Sequence, residues 1–226
     1  MKIMIIGAYG HLGRIVMRAA IKRGHDVVGI AHRQHPQLKQ PQVIIKDMRD
    51  LGQDDFVGVD AVVDAVGAWT PATEVVHYEG LEHVVSLLQG TPIHYLKVGA
   101  ASTLFINSAH THVLQELPRY YPDYMQDLCA AHAEGLAILQ TYTTVNWTYV
   151  TPTYNFDPDG NSTGQYHVNG DEFKPAHSQD PDDGRQDYIS YADYAKGLLD
   201  IIENKSYYHQ QITLFSGNNP HPQQRY

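Results

Sequence analysis

The feature that most constrains the fold is a short apolar run that ends in regularly spaced glycines. Residues Lys2 to Gly7 are almost purely apolar, which is typical of a strand buried on both faces of a parallel sheet. Gly7, Gly10 and Gly13 follow at three-residue spacing, and apolar residues then recur at helical spacing until Gly24, which is placed to end the helix. A glycine-rich turn between a buried strand and an amphipathic helix is the setting that a dinucleotide fingerprint requires.

The alternation of strand and helix continues along the chain. Further strands are predicted at 25–31, 41–47, 59–67, 93–99, 146–152 and 210–215, and further helices near 81–88, 124–140 and 190–203. This order favours an α/β fold with a doubly wound parallel sheet and right-handed crossovers. We predict one domain over 1–226, with a dinucleotide-binding core at about 1–151. The segment 152–226 is rich in Gly, Pro, Asn and Asp and is predicted to form a C-terminal lobe and tail.

Composition and charge exclude several classes of protein. The 226 residues are 42% hydrophobic and 18% charged, as in ordinary globular domains. A formal net charge of -9 argues against nucleic-acid binding, which needs clustered cations. The sequence has no apolar run long enough for a membrane helix or a signal peptide. The single cysteine, Cys129, suits a reducing compartment. We therefore expect a cytoplasmic monomer or homodimer with no membrane partner.

The glycine turn is the first predicted part of a cofactor site. Its glycines would let backbone N–H groups approach a pyrophosphate at the positive end of the following helix. The residues predicted to form this cradle are Gly7, Ala8, Tyr9, Gly10, His11, Leu12 and Gly13. The alternative is that the glycines serve only the packing of helix against strand.

The end of the second strand decides which nucleotide fits. NAD-binding proteins usually place an Asp or Glu there to hold the ribose 2′-hydroxyl. This chain has no acid between Gly29 and Pro36, and it offers His32 and Arg33 instead. A guanidinium can bind a 2′-phosphate through a planar fork of hydrogen bonds, so NADP(H) is predicted over NAD(H). The alternative for Arg33 is a solvated loop cation.

Other strand ends are predicted to complete the cofactor site, because ligands bind at the carboxyl ends of strands in such sheets. Asp47 and Met48 would lie at the edge of the adenine, and Ala65, Val66 and Gly67 would pass the ribose. The remaining predicted cofactor contacts are Val98, Gly99 and Pro152. Ala65 to Gly67 could equally be tight strand exits with no ligand.

Seven segments together resemble a known family: IIGAYGHLG, HRQ, KDMRDL, VVDAVGA, LKVGAAST, NWTYVTP and YISYADYAKGLLDIIE. In this order they are similar to the atypical short-chain dehydrogenase/reductases, and more closely to the NAD(P)H-binding group with NmrA-like and biliverdin-reductase-B-like members. The resemblance covers roughly residues 2–203. It implies a Rossmann-like fold with a small C-terminal substrate lobe, a glycine turn at Gly7 to Gly13 and a basic residue at Arg33.

The chain departs from that family in its catalytic residues. Ordinary short-chain dehydrogenases use a Tyr as general acid/base, with a Lys four residues later that lowers its pKa. Here the residue four after Tyr124 is Leu128, and the one four after Tyr191 is Ala195. The usual acid/base pair is therefore missing. Hydride transfer does not strictly need a protein acid, because the cofactor carries the difficult chemistry.

Three residues are candidates to replace the missing pair. Ser102 follows the fifth strand and could donate a hydrogen bond to a substrate carbonyl, as could the phenol of Tyr124. His132 lies eight residues after Tyr124, which would place both on one helix face. The alternatives are ordinary: Ser102 as a helix cap, Tyr124 as a loop-packing aromatic and His132 as a surface residue.

Two hypotheses of function follow. The first is an NADP(H)-dependent oxidoreductase that transfers hydride to a small carbonyl, quinone or flavin-like acceptor. The second is a non-catalytic NADP(H)-binding redox sensor that acts through a protein partner. His110 and His112 form a His-x-His pair, but no third ligand has a convincing spacing, so we predict surface histidines and no metal.

Overall fold

The computed structural model describes residues 1–35, 42–173 and 187–217. Its main sheet has eight strands in the order β3-β2-β1-β4-β5-β6-β10-β8. The strands of this sheet are β1 (Lys2–Ile6), β2 (Asp26–Ala31), β3 (Val43–Ile45), β4 (Ala61–Asp64), β5 (His94–Val98), β6 (Asn146–Pro152), β8 (His167–Asn169) and β10 (Gln210–Phe215). Neighbours pair in parallel except β8, which runs antiparallel to β10. The order β3-β2-β1-β4-β5-β6 is that of a doubly wound dinucleotide-binding sheet, so the predicted fold class is confirmed.

In the part of the chain that the structure describes, four α-helices cover the two faces of this sheet. They are α1 (His11–Lys22), α2 (Glu79–Leu87), α3 (Gln126–Thr141) and α4 (Tyr191–Asn204). Side chains of β1 alternate between the faces: Ile3 and Ile5 belong to the core under α1 and α4, whereas Met4 and Ile6 belong to the core under α2 and α3. Both faces of the strand are therefore buried, which explains its uninterrupted apolar run.

Two strands of the chain beyond Pro152, β8 and β10, extend the main sheet, and two others do not. Here β7 (Asn155–Asp157) and β9 (Tyr188–Ser190) form a separate two-stranded sheet. Ser190 caps the start of helix α4, because its side chain accepts a hydrogen bond from the N–H of Asp193 at 3.1 Å. The buried Asp193 carboxylate accepts from Ser162 Oγ at 2.8 Å. The start of α4 is thus fixed by its own cap and by the loop before β8.

Some predicted boundaries move. Tyr124 lies in a 3-10 turn, Asp123–Met125, that precedes α3 rather than in the helix itself. The third strand shrinks to three residues, because Asp47 begins another 3-10 turn, Met48–Asp50. Within the described part of the chain, no helix is long and apolar enough to cross a membrane. Two parts of the predicted C-terminal lobe and tail, residues 174–186 and 218–226, lie outside the described residues.

Candidate functional site

A cavity of about 850 Å³ opens at the carboxyl ends of β1 to β4. This is where the strand order reverses between β1 and β4, the position at which doubly wound sheets bind ligands. The cavity lining includes ten of the residues predicted from the sequence to contact a cofactor: Gly7, Tyr9, Gly10, His32, Arg33, Asp47, Met48, Ala65, Val66 and Gly67. The fold therefore brings the loops after four different strands to one place.

The glycine turn is shaped by close backbone approaches. Gly7 has φ +83°, and a Cβ added there would lie 2.8 Å from the carbonyl oxygen of Ala65. A Cβ on Gly13 would lie 2.2 Å from the Gly7 oxygen, which accepts a hydrogen bond from the Gly10 N–H at 2.8 Å. Glycine is thus required for packing at both positions. The same absence of side chains leaves backbone open toward the cavity, as a pyrophosphate cradle needs.

Four of the seven predicted turn residues do not line the cavity. Ala8, Leu12 and Gly13 are buried behind it, where they support the junction of β1 and α1. His11 is exposed, and its ring packs against Tyr191 with centroids 5.4 Å apart. Helix α1 has no acidic residue in its first turn, so the positive end of its dipole is not offset locally.

The exit from β2 is basic. His32 and Arg33 are exposed and line the cavity, and Lys46 and Arg49 line it opposite them on the exit from β3. Arg33 forms no ion pair with any described residue, whereas Lys46 Nζ lies 2.6 Å from Asp55 Oδ2. A guanidinium at the mouth of the cavity is thus left available for an anionic group.

Asp47 is the one acidic residue among the described cavity-lining residues, and it is already paired. Arg49 donates from Nε to Asp47 Oδ1 and from Nη2 to Asp47 Oδ2, each at 3.0 Å. This fork lowers the pKa of the Asp47 carboxyl. The negative charge of Asp47 is thus balanced by Arg49 within the cavity wall. The cavity is left with a basic character.

The predicted residues at the ends of β5 and β6 are placed differently. Val98, Gly99 and Pro152 are not among the residues lining the cavity. A Cβ on Gly99 would lie 2.2 Å from the ring of Tyr149, so the absence of a side chain at Gly99 makes room for this ring. Pro152 is buried and pairs with Leu214 of β10. The open cavity thus spans the β1 to β4 side of the site.

A buried ion pair lies directly behind the cavity, and sequence reasoning missed it. Lys97 Nζ lies 3.0 Å from Asp64 Oδ2, and both side chains are almost fully buried. Tyr95 donates to Asp64 Oδ2 at 2.7 Å, and the Val66 N–H donates to Asp64 Oδ1 at 3.1 Å. The sequence does contain a signal for this pair: an acidic residue in β4 and a lysine in β5, each within a strand that is mostly apolar. The carboxylate thereby holds the first turn of the loop after β4.

His77, which packs against His132, holds the other end of that loop. His77 Nε2 lies 3.2 Å from the Ala68 oxygen, so this nitrogen carries the proton. The rings of His77 and His132 pack against each other with centroids 3.9 Å apart and their planes tilted by 33°. Gly135 permits the contact, since a Cβ there would lie 2.1 Å from the His77 oxygen. Burial, together with the charge of Lys97, lowers the pKa of His77 to about 4, so the ring is neutral near pH 7.

The three predicted catalytic residues do not form one group. Tyr124 is 85% exposed, whereas the Nδ1 atom of His132 is enclosed against His77, so the predicted shared face is not formed. The side chain of Ser102 is buried in the 3-10 turn Ala101–Thr103. Burial raises the pKa of the nearby Cys129 thiol, which makes it a poor nucleophile. None of these side chains lines the cavity.

The histidine pair of the predicted surface loop is engaged with carboxylates. His110 Nε2 lies 3.2 Å from Glu172 Oε1, and His112 Nδ1 lies 2.7 Å from Glu116 Oε2. In residues 1–35, 42–173 and 187–217, no group of three or more His, Cys, Asp or Glu is arranged to hold a metal ion.

The sheet order and the glycine cradle define a Rossmann-type dinucleotide-binding protein. A family model described as NAD(P)H-binding matches residues 7–205, and the chain belongs to this NAD(P)H-binding family. The resemblance to the atypical short-chain dehydrogenase/reductases is thereby confirmed, and the cofactor class is a nicotinamide dinucleotide.

Similar proteins are found over nearly the whole chain. The chain is 34% identical over 218 residues to the uncharacterized protein YwnB of Bacillus subtilis (strain 168), covering 96% of this chain and 99% of that protein. Its fold is similar to that of SP1627 from Streptococcus pneumoniae TIGR4, described as a "putative NADH-flavin reductase", with TM-score 0.85 and 36% identity over 96% of this chain and 99% of that one. Lmo0794 of Listeria monocytogenes is 28% identical, with TM-score 0.59, over 96% of this chain and 100% of that one.

Proposed function

We propose that this protein is an NADP(H)-dependent oxidoreductase that passes hydride to a flavin-like, quinone or small carbonyl acceptor. The observation that carries the cofactor preference is the exit from β2, where Arg33 and His32 line the cavity and no acid stands between Gly29 and His35. A carboxylate there would repel a 2′-phosphate, whereas an available guanidinium would bind it.

The parts of the chain have distinct roles in this proposal. Backbone N–H groups of the glycine turn and the first turn of α1 bind the pyrophosphate. Arg33 binds the 2′-phosphate, and the loop from Ala65 to Ala68 limits the cavity on the side of β4. When bound, the dinucleotide supplies the hydride. Asp64 and His77 hold the loop from behind through Val66 and Ala68.

A flavin-like acceptor is favoured by two considerations. SP1627, at 36% identity, carries the flavin-reductase description. In addition, the three predicted catalytic side chains do not line the cavity. Flavins and quinones can take their proton from water after receiving hydride, so they do not require a protein acid beside the reacting carbon.

Replacing Arg33 is expected to separate the two cofactors. Arg33→Ala should weaken NADPH binding by about 10- to 100-fold, the value of a hydrogen bond to a charged group, and change NADH binding by less than about twofold. The measurement is a fluorescence titration of the cofactor-free chain with each nucleotide. Arg18→Ala removes the same charge from the exposed face of α1 and should change neither affinity.

Two results would contradict the preference. Equal affinity of the unmodified chain for NADPH and NADH would overturn the 2′-phosphate role of Arg33. Equal weakening by Arg18→Ala would show that only net charge matters. If NADPH binds tightly but its oxidation, followed at 340 nm, is supported by no flavin, quinone or carbonyl, the redox-sensor hypothesis replaces the enzymatic one.

A further inference from the structure

The loop after β4 carries an exposed indole at the edge of the cavity. The side chain of Trp69 lines the cavity and is 72% exposed, whereas the other tryptophan, Trp147, is 4% exposed within the core. A large exposed aromatic ring on a cavity wall is unfavourable in water unless a ligand covers it. Trp69 has no part in the phosphate cradle or in the contacts expected of Arg33.

The indole is presented by a firmly held segment. A Cβ on Gly67 would lie 3.2 Å from Trp69 Nε1, so this glycine leaves the space that the ring occupies. On one side, the Ala68 oxygen is held by His77. On the other, the hydroxyls of Thr70 and Thr73 lie 2.8 Å apart, and the Thr73 hydroxyl bonds the Thr70 oxygen. These contacts fix the loop on both sides of Trp69, and the loop in turn holds the indole ring at the edge of the cavity.

The neighbouring wall is apolar. Ala68, Ala72, Val75 and Val76 line the cavity next to Trp69, and Met48 lines it from the exit of β3. Such a surface suits a flat heteroaromatic ring, which stacks on one aromatic side chain and packs against aliphatic groups. The charged part of a ligand would instead lie toward Arg33.

We propose that Trp69 stacks on the adenine ring of the bound dinucleotide. This rests on the proposed function, because it places the 2′-phosphate at Arg33. The 2′-phosphate and the adenine are attached to the same ribose, so the adenine must lie within one sugar of Arg33. Arg33, Met48 and Trp69 all line the same cavity. Val98, Gly99 and Pro152, predicted to be cofactor contacts, line none of it.

The proposal is tested with adenosine 2′,5′-bisphosphate, which contains the adenine and the 2′-phosphate but no nicotinamide. Binding of this compound should quench the fluorescence of Trp69 in the unmodified chain. In calorimetry, Trp69→Ala should weaken its binding by about 5- to 100-fold, the range for loss of one base-aromatic stack, and Trp69→Phe should restore most of the affinity. Val57→Ala, which removes an exposed apolar side chain outside the cavity, should have no effect.

Two outcomes would overturn the stacking role. One is unchanged affinity of Trp69→Ala for the bisphosphate; the other is quenching by nicotinamide mononucleotide with none by the bisphosphate. Failure of the proposed function gives a different result, because bisphosphate binding requires no acceptor and no hydride. If the chain binds the bisphosphate through Trp69 but reduces no acceptor, the stacking role stands and the enzymatic proposal is wrong. If the chain binds neither the bisphosphate nor NADPH, both the stacking role and the enzymatic proposal are wrong.

Discussion

Lys97→Met is expected to lower the free energy of unfolding by about 3–5 kcal/mol, the usual result of removing one partner of a buried ion pair. The substitution leaves the Asp64 carboxylate without its cation, in a site where water does not reach it. Tyr95 and the Val66 N–H still donate to that carboxylate, but two neutral donors do not replace an ammonium ion. Urea unfolding, followed by far-UV circular dichroism, measures the change.

The double variant Asp64→Asn with Lys97→Met separates the charge from the packing. It removes both charges. Tyr95 and Val66 bond different oxygens of Asp64, so the Asn oxygen accepts from the Val66 N–H and the Asn amide donates to the Tyr95 hydroxyl oxygen. We expect it to regain more than half of the lost stability, since a matched pair can be replaced at little cost. A double variant no more stable than Lys97→Met would show that the cluster stabilises the fold through the packing of the lysine stem, and the ion-pair account would be wrong.

Gly13→Ala is expected to abolish most dinucleotide affinity. Alanine favours a helix over glycine by about 1 kcal/mol, but here its Cβ would lie 2.2 Å from the Gly7 oxygen. The oxygen that this Cβ would meet belongs to the backbone and cannot rotate away as a side chain could. Helix α1 must therefore move away from the turn. The loss of about two hydrogen bonds to phosphate corresponds to roughly 100-fold weaker binding. Overpacking should also lower the stability by about 1–3 kcal/mol.

Gly52→Ala is the matched control for this variant, because a Cβ on Gly52 has nothing within 4 Å. It should leave both stability and NADPH affinity near those of the unmodified chain. Calorimetric titration with NADPH and thermal unfolding of each variant provide the comparison. Retention of full NADPH affinity by Gly13→Ala would mean that the turn contributes only to packing, which is the alternative left open by its spacing.

Local sequence patterns predict the fold well because each of them follows from one element. The run from Lys2 to Ile6 is apolar because both of its faces are covered, and the spacing of the glycines reports the approach of α1 to β1. Residues at the ends of β1 to β4 were likewise found by position, since parallel strands end at one edge of a sheet. These loops converge on the cavity whatever their detailed conformation.

Contacts between distant elements could not be predicted in this way. The pair of Asp64 and Lys97 depends on the parallel register of β4 and β5, and each residue alone reads as an isolated charge in an apolar strand. The packing of His77 against His132 depends on the close approach of α3 that Gly135 permits. Tyr124 failed as a helix partner of His132 because α3 begins two residues later, at Gln126.

The packed rings of His77 and His132 make the fold sensitive to mild acid. The pKa of His77 is about 4 in the folded protein, below its ordinary 6.5, and burial beside His77 and Lys97 lowers that of His132 as well. Between pH 6.5 and 4 the unfolded chain therefore binds protons that the folded chain does not, and stability falls as the pH falls through this window. Protonation adds a hydrogen at the buried Nδ1 of His77, which has no hydrogen-bond partner among the described residues, and leaves the Nε2–H bond to Ala68 in place. Mild acid therefore lowers the stability of the fold without breaking this contact of the cavity wall.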